Sequence, residues 1–163
     1  MKNNETVSTS SYLSFKLGNE EFAVHTSKVL SILEMCDVIS VPKAPVYMKG
    51  IINLRGAVLP VLDLKVKLGM SSTQNSVNTC IVVFDIFIDN ELTQIGAFVD
   101  SVQAVLEISS TQIMPAPSIG SKYNSNFIEG VVNVEGSFVM LLNMDSVFSN
   151  EKELAENFVK DVA

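Results

Sequence analysis

Cysteine is nearly absent from this chain, with only Cys36 and Cys80 among 163 residues and no CxxC spacing. No disulfide framework is expected, and the two thiols, set beside apolar residues, read as reduced core or near-core groups of a cytosolic protein. No apolar run approaches a membrane span: IVVF, VLPVL and FVMLL are the longest, and the polar start MKNNETVSTSS lacks a signal-peptide core. Neither export nor membrane insertion is expected. Cations are few, 11 Lys and Arg against 18 Asp and Glu for a formal charge of -7. Nucleic acid is not an expected partner, because binding its backbone needs clustered cations that release counterions.

Catalytic patterns are missing as well. GxSxG, HExxH, Walker and GxGxxG motifs do not occur. The one histidine, His25, has no HxxE, HxH or neighbouring acid to make it a ligand or base. The carboxylates are scattered, and Asp89, Glu91, Glu151 and Glu153 fall in expected turns or in the tail, where solvation is their ordinary role. The expectation is a protein with no catalytic residue, no metal and no cofactor.

What is present is hydrophobicity, 47% of the chain, enough for one substantial core or two small ones. There is also internal repetition. Residues 47–68 (YMKGIINLRGAVLPVLDLKVKL) overlay residues 127–148 (FIEGVVNVEGSFVMLLNMDSVF) without a gap at an offset of 80. Gly50/Gly130, Asn53/Asn133, Gly56/Gly136 and Leu62/Leu142 are identical, and the paired glycines carry most of the signal. A second block, 22–34 against 95–107 at an offset of 73, pairs Val29 with Val102, Ile32 with Val105, Leu33 with Leu106 and Glu34 with Glu107. Both blocks occur in the same order in each half, which implies a duplicated architecture.

Local patterns fill in each copy. Leu13, Phe15 and Leu17 alternate with Ser14 and Lys16 as in a half-buried strand, and Gly18-Asn19-Glu20 turns the chain into Phe22-Ala23-Val24. Residues 80–88 and 93–99 form a matching hairpin around Asp89-Asn90-Glu91. After each hairpin the apolar spacing predicts a short helical turn: Thr26 or Ser27 would cap Val29, Ile32 and Leu33, and Asp100 would cap Val102, Val105 and Leu106. Proline-bearing connectors, VPKAP at 41–45 and MPAP at 114–117, lead into the offset-80 repeat. That repeat reads strand, tight turn at Arg55-Gly56 or Glu135-Gly136, and strand, with glycine supplying a positive φ. Pro60 cannot donate to a ladder and marks an edge or a bulge. In the tail, Leu154, Phe158 and Val162 recur at helical spacing behind Asn150 and Glu153, a capping-box pattern.

The expected architecture is mainly β: two packed five-stranded antiparallel barrels with short helical turns and a C-terminal amphipathic helix. The boundaries are a disordered lead-in at 1–10, a first barrel at 11–76 completed by the helix at 150–163, and a second barrel at 77–149. Two residues invite a partner. Arg55, the only arginine, sits at a turn tip between apolar strands, where it either keeps the turn in water or offers a guanidinium fork to a carboxylate or carbonyl. Ile119 stands alone in Pro117-Ser118-Ile119-Gly120-Ser121, either tucked back or exposed as a contact.

GIINLRGAVLPVLDLKVKLG at 50–69 resembles the most characteristic motif of the CheW family, the bacterial chemotaxis coupling proteins. IGAFVDSVQAVLEI at 95–108 resembles its GxxVDxVxxVL segment, and IMPAP, FIEGVV and the LLN ending of the repeat match in order. The resemblance runs from about Tyr12 to the end. It implies two SH3-like barrels with the C-terminal helix returning to the first, no catalytic activity, and a cytoplasmic adaptor recruited to membrane-associated receptor arrays. Its partners would be the cytoplasmic tip of methyl-accepting chemoreceptors and the regulatory domain of the CheA histidine kinase.

Carried over, the receptor-facing positions are Val29, Ile32, Arg55, Val99, Val102 and Val105, and the kinase and array contact is Ile119. Gly50, Asn53, Gly56, Gly130 and Gly136 are the structural turn residues. Ser31 stands where the family often carries an acid and Lys65 where arginine is common, each weakening or retargeting a polar contact, since lysine cannot reproduce a bidentate fork. Two other readings stand beside this one. The barrels could be the regulatory module of a related two-component system, or an array component with a different receptor or kinase, although a start at Met and a closing helix leave no room for a receiver domain. A small-ligand barrel would need a lined cavity with convergent polar groups, whereas small barrels are normally filled by side chains.

Overall fold

The computed structural model describes residues 7–72, 74–88, 90–115 and 127–148; Ile119 and the expected helix at 150–163 lie outside them. Runs of β-branched and aromatic residues make strands. In chain order these are β1 (Thr9–Leu17), β2 (Glu20–His25), β3 (Val29–Glu34), β4 (Met48–Leu54), β5 (Ala57–Asp63), β6 (Cys80–Ile88), β7 (Glu91–Val99), β8 (Ser101–Ser109), β9 (Ile128–Val134) and β10 (Ser137–Leu142). One-turn helices α1 (Leu64–Lys67) and α2 (Met144–Val147) follow β5 and β10. Strand β1 starts inside the expected disordered lead-in, with Thr9 and Ser10 already paired to Ser109 and Ile108.

The strands form two five-stranded sheets, ordered β8-β1-β2-β10-β9 and β3-β6-β7-β5-β4. The halves of the sequence are therefore not the barrels. The expected division into 11–76 and 77–149 gives way to a reciprocal exchange: hairpin β1–β2 joins β8–β10 of the second half, and hairpin β6–β7 joins β3–β5 of the first. The chain crosses between sheets at the 3-10 turn Thr26–Lys28 and returns at Asp100. Pairings are antiparallel except β2–β10 and β5–β7, where the exchanged hairpin lies beside the last strand of the other half.

The two short runs expected as helical turns are the strands β3 and β8. Each carries an extra residue, Leu30 or Gln103, at a register shift against β6 or β1. Val29 and Ile32, like Val102 and Val105, stand on opposite faces of a strand, so their spacing of three only imitates a helix. Pro60 lies in an interior strand, neither at an edge nor at a bulge; the β5–β7 ladder begins one residue later at Val61, so no donor is missing on that side. Cys36 is exposed rather than near the core, and Cys80 is half-buried.

Each barrel is closed by one isolated bridge from the segment after its edge strand, Ile39 to Ile51 and Met114 to Val131. In each bridge the two N–H···O bonds are 2.8 and 2.9 Å. The crossing segment runs so close to the sheet that a side chain at Gly50 would collide with the Ile39 carbonyl. One at Gly130 would place its Cβ 2.6 Å from Ile113 Cγ2 and 2.8 Å from the Met114 oxygen. At the turns, Arg55 and Gly56 have φ of 53° and 84°, and Glu135 and Gly136 have 50° and 88°, the left-handed pair of a type I′ hairpin. Asn53 and Asn133 stabilise these turns by accepting the Gly56 and Gly136 N–H groups at 2.8 and 2.9 Å. The fourth identical pair, Leu62 and Leu142, is buried in the central core.

Among the described residues the apolar side chains form three cores. The largest lies between the sheets and takes Phe15, Phe22, Phe84, Phe148, Leu62, Leu64, Leu142 and Met144 from both halves. Smaller cores fill the barrels, Tyr12, Ala23, Ile108, Val132, Val139 and Leu141 in one and Ile52, Leu59, Val61, Ile81, Val83 and Phe98 in the other. Burying four phenylalanines, each worth about 3–5 kcal/mol against alanine, makes the central core the main bond between the barrels.

Candidate partner interface

β3 and β8 occupy equivalent places in the two repeats, and each stands at one end of its sheet order. Each turns alternate residues inward. On β3, Val29 packs on the central core and Leu33 on its barrel core, while Leu30 and Ile32 face outward, 49% and 47% exposed. On β8, Val102 and Leu106 pack inward in the same way, and Val105 is 58% exposed. Ile32 and Val105 are counterparts under the offset of 73. The repeat thus places a large exposed apolar side chain at the same position of each edge strand, and β3 adds Leu30 beside it. Leu30 is exposed by the ordinary alternation of β3, which the helical spacing of Val29, Ile32 and Leu33 passes over.

The end of β3 comes close to the start of β8. Cys80 stands opposite Glu34 in the ladder, and Glu34, Met35, Cys80, Ser101 and Val102 line a groove of about 360 Å³. Burial pushes the Cys80 thiol up, and a hydrogen bond with the Val102 backbone opposes this only in part. A thiol so placed stays protonated at neutral pH and is no nucleophile.

Polar ties brace the seam at equivalent places with the charges reversed. Asp145 on α2 accepts the Phe87 N–H at 3.0 Å and pairs with Lys28 at 2.8 Å. Asp100 accepts the Gly18 N–H at 2.6 Å and pairs with Lys65 on α1 at 3.3 Å. Lys65 is thus engaged within the molecule, its side chain 13% exposed. Nearby, Tyr12 meets the His25 ring edge-on at 5.3 Å, and His25 Nδ1 accepts the Ser27 N–H at 3.2 Å, a structural role at a strand end. Partial burial pushes the Glu129 carboxyl up, opposed by His25 and Lys28 and reinforced by Asp145. Burial, helped by the Glu129 charge, pushes the Tyr12 hydroxyl up too.

The expected site residues do not all share one surface. Val99 is fully buried in the central core; it lies on the strand before the crossover and cannot touch a partner. Arg55 is exposed at the tip of the β4–β5 turn, and among the described residues it pairs with no carboxylate. Ser31 is half-buried on β3. Among the described residues no group of three His, Cys, Asp or Glu could hold a metal ion, and no helix is long and apolar enough to cross a membrane. Side chains fill both barrel interiors, which counts against a small-ligand barrel. A surface groove of about 550 Å³ lies outside them, lined by Lys16, Glu20, Glu21, Met114, Phe138 and Met140 among others.

A family model described as the CheW-like domain matches residues 11–152. The chain belongs to the CheW family. It is 36% identical over 143 residues to the chemotaxis protein CheW of Rhizobium meliloti (strain 1021), covering 88% of this chain and 90% of that one. With the CheW of Klebsiella aerogenes it shares 30% identity over 150 residues, covering 91% and 88%. The crystal structure of the scaffolding protein TtCheW from Thermoanaerobacter tengcongensis superposes with a TM-score of 0.77 over 91% of this chain and 93% of that one, at 24% identity. That likeness is one of fold, two SH3-like barrels. The family consists of chemotaxis scaffolds rather than enzymes, in agreement with the absence of catalytic motifs from this sequence.

Proposed function

We propose that this protein is a cytoplasmic adaptor that joins the tips of chemoreceptors to the regulatory domain of the CheA kinase within membrane-associated arrays. The observation that carries the reading is the pair Ile32 and Val105, exposed apolar residues at equivalent positions on the matching edge strand of each barrel. An amphipathic receptor helix laid along such a surface would cover both. Covering the exposed half of each side chain contributes about 1 kcal/mol. Val29 and Val102 lie beneath as a firm floor, Arg55 offers a carboxylate partner its fork, and Ile119 is assigned to the kinase side.

The test is co-precipitation of the purified protein with the cognate CheA regulatory domain and a receptor cytoplasmic fragment. Wild type is expected to bind both, while Ile32→Asp and Val105→Asp lose the receptor fragment and keep their fold. Binding to neither partner, or undiminished receptor binding by both variants, would refute the proposal.

A further inference from the structure

No barrel in this chain is made by one repeat. The first repeat, β1 to α1, and the second, β6 to α2, are held together by four ladders, β1–β8, β2–β10, β3–β6 and β5–β7, and by the central core. Among the described residues, pairing within a single repeat is confined to the hairpins and the bridges Ile39–Ile51 and Met114–Val131. The covalent join between repeats is the stretch 68–79, whose residues 69, 71, 72 and 74–78 are exposed. Its twelve residues can reach roughly 40 Å when extended.

We propose that a second copy of this chain docks by exchanging whole repeats. The first repeat of one chain completes both barrels with the second repeat of the other, giving a closed dimer of two double-barrel units. Every ladder and core contact of the monomer recurs in that dimer, so the two forms differ only in the linker path and the entropy of association. Exchange requires all four ladders to open. It therefore proceeds through the unfolded chain, is favoured by refolding at high concentration, and leaves a dimer that persists on dilution. Such a dimer carries each exposed edge strand twice, which raises its avidity for clustered partners.

The β1–β8 ladder supplies the test. Ser11 stands opposite Glu107, their side chains 2.6 Å apart, a position that suits a disulfide across paired strands. In a Cys36→Ser background, Ser11→Cys chains and Glu107→Cys chains are unfolded in urea, mixed, refolded together at low and high concentration, and oxidised mildly. A disulfide-linked heterodimer joined at positions 11 and 107, growing with concentration, is the expected result. A single chain bearing both substitutions is the control and should close its own disulfide. If the control closes and no heterodimer forms, exchange is refuted. A dimer without the cross-link, or one that dissociates at once on dilution, shows surface association and refutes it too. Wild-type chain refolded at high concentration gives an independent readout by light scattering, and monomer alone overturns the proposal.

Discussion

Gly130→Ala tests whether barrel closure depends on close passage of the connector over the sheet. The new Cβ would sit 2.6 Å from Ile113 Cγ2 and 2.8 Å from the Met114 carbonyl oxygen. The Ile113 side chain can rotate, but the carbonyl is backbone, held by two bridge bonds to Val131. Relief means opening the bridge, a loss of about 1 kcal/mol per hydrogen bond, with an overpacking cost of about 1–3 kcal/mol. A total of about 3–5 kcal/mol would lower Tm by roughly 10–15 °C in a chain of this size. Gly136→Ala is the matched comparison: a Cβ there meets nothing within 4 Å, leaving only the left-handed backbone cost of about 1 kcal/mol. Thermal denaturation followed by circular dichroism measures both, and hydrogen exchange at the Met114 and Val131 amides locates the damage. The reasoning fails if Gly130→Ala costs no more than Gly136→Ala, or if those two amides keep their protection.

Val99→Asp and Val105→Asp, six residues apart, should behave oppositely. The first places a carboxylate in the central core and is expected to abolish cooperative folding, while the second leaves Tm within about 2 °C and acts only on partner binding. Glu129→Gln should raise Tm at pH 7. The wild-type carboxyl has a folded pKa above its ordinary 4.5, so its contribution is fully present below that ordinary value and is lost as pH rises through the folded pKa. The advantage of glutamine should then vanish in melting curves taken below pH 4.5, and an advantage independent of pH would refute the assignment. Arg55→Glu should leave Tm nearly unchanged and weaken receptor coupling in a reconstituted kinase assay; normal coupling would make Arg55 a solvated turn tip.

Several features of this protein were legible without coordinates. The offset-80 glycines and asparagines announce two equal hairpins, because a type I′ turn and a close backbone crossing each tolerate few residue types, so the requirement is written locally. The identity of Arg55 as a turn tip and the absence of catalytic chemistry are local in the same sense. The motif match carried the family. Strand partnership is a different kind of fact. Val29 and Val102 look alike in sequence, and nothing in either repeat says that β1–β2 completes the barrel of β8–β10 rather than its own, since both arrangements bury the same alternating faces.

Burial was similarly out of reach. Val99 and Val105 are both valines in a strand-forming run, and only the packing of both repeats against the central core puts one inside and the other in water. Each edge strand carries apolar residues on both faces, Val29 and Leu33 inside with Ile32 outside on β3 and Val102 and Leu106 inside with Val105 outside on β8, so a strand read as a helix. Sequence by itself determined the repeated unit, its turns and its family, which rest on residues a few positions apart. Tertiary structure alone decided which halves join and which apolar side chains stay exposed, because those outcomes depend on contacts between segments separated by most of the chain.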